Sequence, residues 1–304
     1  MLLHISQIVL AERFFIKKLD KMKKIIITII ILTTINSAFA QQKIFIPDGD
    51  TAILPDILIS AIKFPEKKKN IIQKIDLISD SYIRKVNSQN TGDLLQGTGN
   101  IFVQKSQQGG SSPVIRGFEA SRILLLVDGI RMNNAIYRAG HLQNVITVDQ
   151  NMLERVEVMY GSGSTLHGSD ALGGVVAFQT KSPELSTNNN KLLYKGNALA
   201  RFSTVNLEKT GHVDMNFGGN KVALLLSGTY SDFEDMRMGN QYPSKYPNFG
   251  RRSQYINTIN NIDYIVNNND DRKQRYSGYK QWDILGKLLY KQNDKISQIG
   301  RAHV

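Results

Sequence analysis

Cysteine is absent from all 304 residues, which removes disulfides, thiol catalysis and cysteine-based metal sites. A membrane-crossing helix is missing too: the apolar run from Ile25 to Ile35 has about 11 residues, where a bilayer needs roughly 20. Catalytic constellations are equally scarce. The five histidines (His4, His141, His167, His212 and His303) include no pair at metalloprotease spacing, and no Gly-x-Ser-x-Gly elbow or phosphate loop occurs. Gly161-Ser162-Gly163-Ser164 lacks the strand-then-long-helix setting of a nucleotide site. The chain is therefore read as a non-enzyme, with no catalytic residue, no metal ligand and no resident cofactor. Its net charge is +12, yet no basic cluster with interleaved aromatics lies downstream of the first residues, which argues against a nucleic-acid partner. With 21% charged and 41% hydrophobic residues, neither disorder nor a bundle of membrane helices fits.

What is present begins with an address. Lys23 and Lys24 precede the apolar run, Asn36-Ser37 follows it, and Ala38-Phe39-Ala40 closes it. Basic flank, short apolar core and A-x-A site make a cleaved secretory signal over 22–40. Met22 is then the expected start, residues 1–21 a spurious N-terminal extension, and Gln41 the new terminus. Residues 41–70 carry Pro47, Pro55 and Pro65 and end in Lys67-Lys68-Lys69, the composition of a linker. Within it the β-prone stretch Asp56-Ile57-Leu58-Ile59-Ser60-Ala61 suits strand addition to a partner's sheet edge, although taken alone it is equally a chance apolar patch.

From 71 to 182 short strands alternate with turns and brief helices. Strands are expected at Lys74–Ser79, Ile101–Gln104, Pro113–Arg116, Arg122–Val127, Arg155–Met159 and Gly174–Thr180, with a capped helix starting at Thr91 and a turn at Asp128-Gly129. This is a small α+β domain. After about 190 the pattern changes to one of two-faced strands. Tyr194, Ala198 and Phe202 alternate with Lys195, Asn197 and Arg201. Val213, Met215 and Phe217 alternate with His212, Asp214 and Asn216. Trp282, Ile284 and Leu288 alternate with Asp283 and Lys287. A soluble antiparallel sandwich shows similar alternation. The connections discriminate: short turns at 219–220 and 291–295 contrast with a polar stretch from 232 to 278, as in a transmembrane β-barrel with short inner turns and long external loops. Four strands are read over 190–298.

At this point the residues resemble a family. Val114-Ile115-Arg116-Gly117-Phe118, Arg122 through Arg131, Leu153-Glu154-Arg155-Val156-Glu157-Val158 and Gly168 through Val176 are similar, in order and spacing, to the plug of TonB-dependent outer-membrane receptors. The resemblance implies an α+β plug domain followed by an antiparallel transmembrane β-barrel. Asp56 to Ala61 falls where the family keeps its TonB box. The implied partners are TonB with its inner-membrane energising complex, and outer-membrane lipid. Plug–barrel contacts are implied for Arg116, Arg155 and Glu157. The chain departs from the pattern at Tyr160-Gly161-Ser162, where Arg-Gly-Pro is usual, and at His167, where Tyr is usual.

The implied activity is TonB-driven uptake of a scarce nutrient, such as haem or a ferric siderophore, across the bacterial outer membrane. Tyr137, Arg138 and His141 occupy the stretch that the family turns toward cargo, and a neutral imidazole at His141 is a competent axial ligand for haem iron. Haem would be cargo, not cofactor. Cobalamin and nutrient oligomers are alternative cargoes; a passive barrel porin or adhesin is the alternative class. Because plug-enclosing barrels have many more strands than four, the chain is expected to be truncated. Its last residues, 299–304, are expected to be a translated sequencing adapter.

Overall fold

The computed structural model describes residues 58–59, 66–132, 145–187, 191–239, 241, 244–293 and 296–303. The expected leader and the extension before it lie outside these residues, as do Asp56, Ile57, Ser60, Ala61, Tyr137, Arg138 and His141.

The α+β domain is built on a sheet of five strands. In chain order the first elements are β1 (Leu58–Ile59), β2 (Glu66–Lys67), β3 (Ile75–Ser79), β4 (Phe102–Gln107), β5 (Gly110–Val114), β6 (Ile123–Val127), β7 (Ile130–Arg131), β8 (Leu153–Tyr160) and β9 (Gly174–Thr180). The sheet runs β3-β8-β9-β6-β7, with β6 and β9 parallel and the other neighbours antiparallel. Leu124, Leu126, Val175 and Ala177 are buried on one face, and Ile123, Leu125, Val176 and Phe178 on the other. A strand covered on both sides reads as a continuous apolar run, which is why Ile123-Leu124-Leu125-Leu126-Val127 shows no alternation.

Two helices cover the face of Ile123, Leu125, Val176 and Phe178. In α1 (Asp80–Val86) the Ser79 hydroxyl accepts from the Tyr82 N–H, and Asn87 closes the helix in the left-handed region. In α2 (Thr91–Gln96) the cap is Asn90, whose side chain accepts from the Asp93 N–H. The expected turn holds: Asp128 and Gly129 both have positive φ, 49° and 80°, the backbone of a two-residue hairpin. The strand expected at Pro113–Arg116 is displaced. It ends at Val114, because Arg116 (φ 51°) and Gly117 (φ 82°) turn the chain, with the Ile115 N–H donating to the Phe118 carbonyl and the reverse.

The second sheet is a meander: β10 (Leu193–Ser203), β11 (Glu208–Gly218), β12 (Val222–Phe233), β15 (Tyr279–Lys291) and β16 (Ser297–His303), each antiparallel to the next. Its burial is inverted relative to a water-soluble sheet. In β11 the residues Glu208, Thr210, His212, Asp214 and Asn216 are buried, whereas Val213, Met215 and Phe217 are exposed. The same side exposes Trp282 (69%), Ile284 (58%) and Leu288 (50%), while Asp283 and Lys287 point inward. An apolar side chain left in water forgoes roughly 1.5–3 kcal/mol, so an outward band of this size calls for a hydrocarbon solvent. Aromatic pairs flank the band: Tyr230 and Trp282 with ring centroids 4.3 Å apart, and Tyr194 edge-on to Phe217 at 6.0 Å.

One expectation needs correction here. Five strands form this sheet, not four, since Ser297–His303 pairs with β15. The long connection read over 232–278 also carries a hairpin of its own, β13 (Gln254–Ile259) and β14 (Ile262–Asn267), turned by Asn260 and Asn261, both at positive φ. Asn-Asn between β-branched residues is a hairpin signal that the surrounding polar composition masks.

Candidate plug–wall coupling site

The only described part of the expected TonB-binding segment is its centre. Leu58 and Ile59 form β1, antiparallel to β2 with Leu58 opposite Lys67 and Ile59 opposite Glu66. Ile59 is fully buried, packed with Ile75, Leu124, Met159, Val175 and Ala177 on the face of the plug sheet opposite the helices. A one-in-two periodicity could not have revealed this: the side chain joins a core made by β6, β8 and β9.

The residues expected to join plug and barrel make these contacts within the plug. Arg116 is exposed and lies over the Tyr160 ring, 5.8 Å from its centroid, with the Lys74 ammonium 5.0 Å from the same ring. The Tyr160 hydroxyl donates to Asp76 at 2.8 Å; burial, and then that carboxylate, push the phenol well above its ordinary pKa. The substitution Tyr for the family's usual Arg thus builds a cation–π cluster inside the plug. Arg155 donates to Glu157 at 2.8 Å, with Glu157 completely buried, and lies 3.4 Å from Glu154. These pairings stay within the plug.

Contacts that cross to the second sheet come from further residues as well. Arg201 of β10 donates to the carbonyls of Ser88 (2.7 Å) and Gln89 (3.2 Å) in the loop between α1 and α2, while its Nε pairs with Glu208 at 2.7 Å. Lys181, just past β9, donates to Asp214 at 2.7 Å, and Asp214 also meets His212 Nε2 at 3.2 Å. Asp149 accepts from the Thr229 hydroxyl, and Gln281 donates to the Ile146 carbonyl at 2.8 Å. Asn216 imitates a β-partner for the chain leaving the plug. Its oxygen accepts from the Glu184 N–H at 2.9 Å, and its NH2 donates to the Glu184 carbonyl at 3.0 Å. A cavity of about 180 Å³ lies in this seam, lined by Arg84, Lys181, His212 and Asp214 among others.

Lys287 of β15 lies 2.9 Å from Asp128 and donates to the Thr180 carbonyl at 3.1 Å, with both charged side chains buried. Asp128 accepts from the Thr180 N–H at 2.8 Å and its hydroxyl at 2.7 Å, and Arg301 lies 3.2 Å away. Burial by itself would raise the Asp128 carboxyl; the Thr180 bonds and Lys287 outweigh it and hold the group below its ordinary range. Removing Asp128 would leave the buried Lys287 ammonium without a counter-charge, at a cost of roughly 3–5 kcal/mol, whereas removing Lys287 would leave Asp128 beside Arg301. Here a wall cation meets a plug anion, the reverse of the Lys181–Asp214 pair. The inward positions of Lys287 and Asp214 were legible from alternation, but their partners were not. Among the described residues no group of three or more His, Asp or Glu side chains is placed to hold a metal ion.

The comparisons agree with this geometry. Residues 67–175 match the family model of the TonB-dependent Receptor Plug Domain. The vitamin B12 transporter BtuB of Vibrio vulnificus is 31% identical over 234 residues, 74% of this chain and 34% of that protein. The pyoverdine receptor FpvA of Pseudomonas aeruginosa, solved with pyoverdine, superposes with TM-score 0.57 at 16% identity, over 80% of this chain and 29% of that one. A double mutant of the Serratia marcescens hemophore receptor HasR, solved with its hemophore and heme, gives 0.52 at 19% identity over 73% and 29%. The chain spans about a third of the length of these relatives. Residues 67–175 are the plug domain of a TonB-dependent receptor, and the antiparallel strands behind it resemble the start of that receptor's barrel.

Proposed function

We propose that this chain is the plug-bearing part of an active nutrient transporter of the bacterial outer membrane, exported by a leader over 22–40. TonB adds its strand to Asp56–Ala61, and work from the inner-membrane energising complex displaces the plug against its wall. No bond in the cargo breaks, so the protein is a receptor and transporter, not an enzyme. One observation carries the reading: the plug docks on the polar face of a sheet whose other face is apolar and exposed. The burial of Ile59 supports the coupling, because a pull on this segment must first unpack it from the core beneath β6, β8 and β9. In cells expressing the whole receptor, cargo uptake is expected to stop when TonB is deleted while surface binding persists. Uptake that continues at the wild-type rate without TonB would return the protein to the passive-porin class.

The cargo on this reading is an iron complex, haem or a ferric siderophore, met by Tyr137, Arg138 and His141. Cobalamin is the second reading, favoured by the 31% identity to a vitamin B12 transporter. Titrating the receptor with haemin, a ferric siderophore and cyanocobalamin separates them. If haem is the cargo, His141→Ala weakens haemin binding about tenfold or more and alters the bound haem spectrum, as loss of an axial ligand must. Unchanged affinity and spectrum remove His141 from the site, and tight binding of cyanocobalamin alone replaces haem as cargo.

A further inference from the structure

We propose that Lys287 is the wall residue that seats the plug, and that it does so by holding the Asp128-Gly129 turn; the inference deepens the transporter reading and rests on it. Among the described residues Lys287 is the one lysine or arginine that is buried as a whole residue. Its direct neighbours across the wall are Leu225 and Arg301, neither of them an acid, so no adjacent strand position neutralises the ammonium. A buried cation needs a counter-charge and acceptors. Both come from the plug: the Asp128 carboxylate at 2.9 Å and the Thr180 carbonyl at 3.1 Å.

The plug side is prepared for this contact. Two bonds from Thr180 fix the Asp128 carboxylate, and the Asp128 N–H donates to the Phe178 carbonyl at 2.8 Å. The turn therefore projects from the ends of β6 and β9, two adjacent strands in the interior of the plug sheet, so a grip on it holds the body of the plug and not a peripheral loop. Arg201 is matched by Glu208 of its own sheet and offers the plug only hydrogen bonds to neutral oxygens, and Arg301 of β16, 3.2 Å from Asp128 and donating to its carbonyl at 2.8 Å, is exposed to solvent and so needs no plug anion to offset burial. Lys287 has no such local partner.

The test uses the whole receptor in a strain lacking TonB and reads leakage through a loosened plug as killing by vancomycin, an antibiotic too large for passive entry. Lys287→Met and Asp128→Asn should each lower the killing dose on the order of tenfold, with equal amounts of heat-modifiable receptor in the outer membrane. Asparagine tolerates the positive φ of position 128, so that variant removes charge without straining the turn. Lys287→Arg, which keeps the charge, should stay near wild type. Unchanged doses in both single variants overturn the proposal, and so does a Lys287→Arg variant as leaky as Lys287→Met. Failure of both single variants to insert, with Lys287→Arg inserting, would make the pair an assembly requirement and would also overturn it. Cargo uptake is followed in a TonB-positive strain of the same receptor: its absence in the wild type strikes the transporter reading and leaves the leakage result to judge the latch.

Discussion

At Gly218 an added methyl group would stand 2.3 Å from the Glu184 carbonyl oxygen, the same carbonyl that accepts from Asn216. At Gly211, seven residues earlier on the same strand, nothing lies within 4 Å. The first glycine lets the chain leaving the plug lie against the wall; the second opens toward the surroundings. Gly218→Ala should therefore push the 184 segment away and destabilise the receptor by about 1–3 kcal/mol, the range for overpacking. Gly211→Ala should change stability by under about 1 kcal/mol, the glycine-to-alanine backbone effect. Thermal unfolding of the purified receptor in detergent checks both; equal shifts would mean that the Glu184 contact is not what Gly218 serves.

Among the elements, β15 states the solvent problem most directly. Trp282, Ile284 and Leu288 are exposed on one side, and Asp283, Leu285 and Lys287 are buried on the other. In water an exposed Ile→Arg change is close to neutral. In a bilayer the same change at mid-strand costs roughly 2–4 kcal/mol. Ile284→Arg should accordingly lower the denaturant midpoint of receptor folded into phosphatidylcholine vesicles by an amount equivalent to that range. A variant as stable as wild type would show that this face is not lipid-covered. The helices teach a different lesson. The α2 start was visible in Thr91-Gly92-Asp93 because capping is local chemistry, although Asn90 supplies the cap. The seven-residue α1 was not singled out, since Asp80–Val86 buries only Ile83 and has no apolar stripe to read. The β13–β14 hairpin escaped notice for the same reason: its signal is two asparagines inside a polar stretch.

For the molecule as a whole, the proposed coupling requires that a pull at Ile59 reach the Asp128 contact, and both lie on one sheet. Ile59 packs beneath β6 and β9, whose far ends carry the Asp128 turn and Thr180 held by Lys287. The sequence by itself determined the order of parts, the plug strands, the Asp128-Gly129 turn and the inverted alternation of the wall, because each depends on residues near one another in the chain. Tertiary structure alone decided which charges meet. Asp128 and Lys287 are 159 positions apart, Arg201 and Ser88 113, so no periodicity links them. It also set the polarity of each plug–wall ion pair, with the cation on the wall in Lys287–Asp128 and on the plug side in Lys181–Asp214, and it turned Tyr160 and Arg116 toward each other. A charge reveals its own burial through local pattern, but its partner only through the fold, because the energy of a buried pair depends on distance in space and not on distance along the chain.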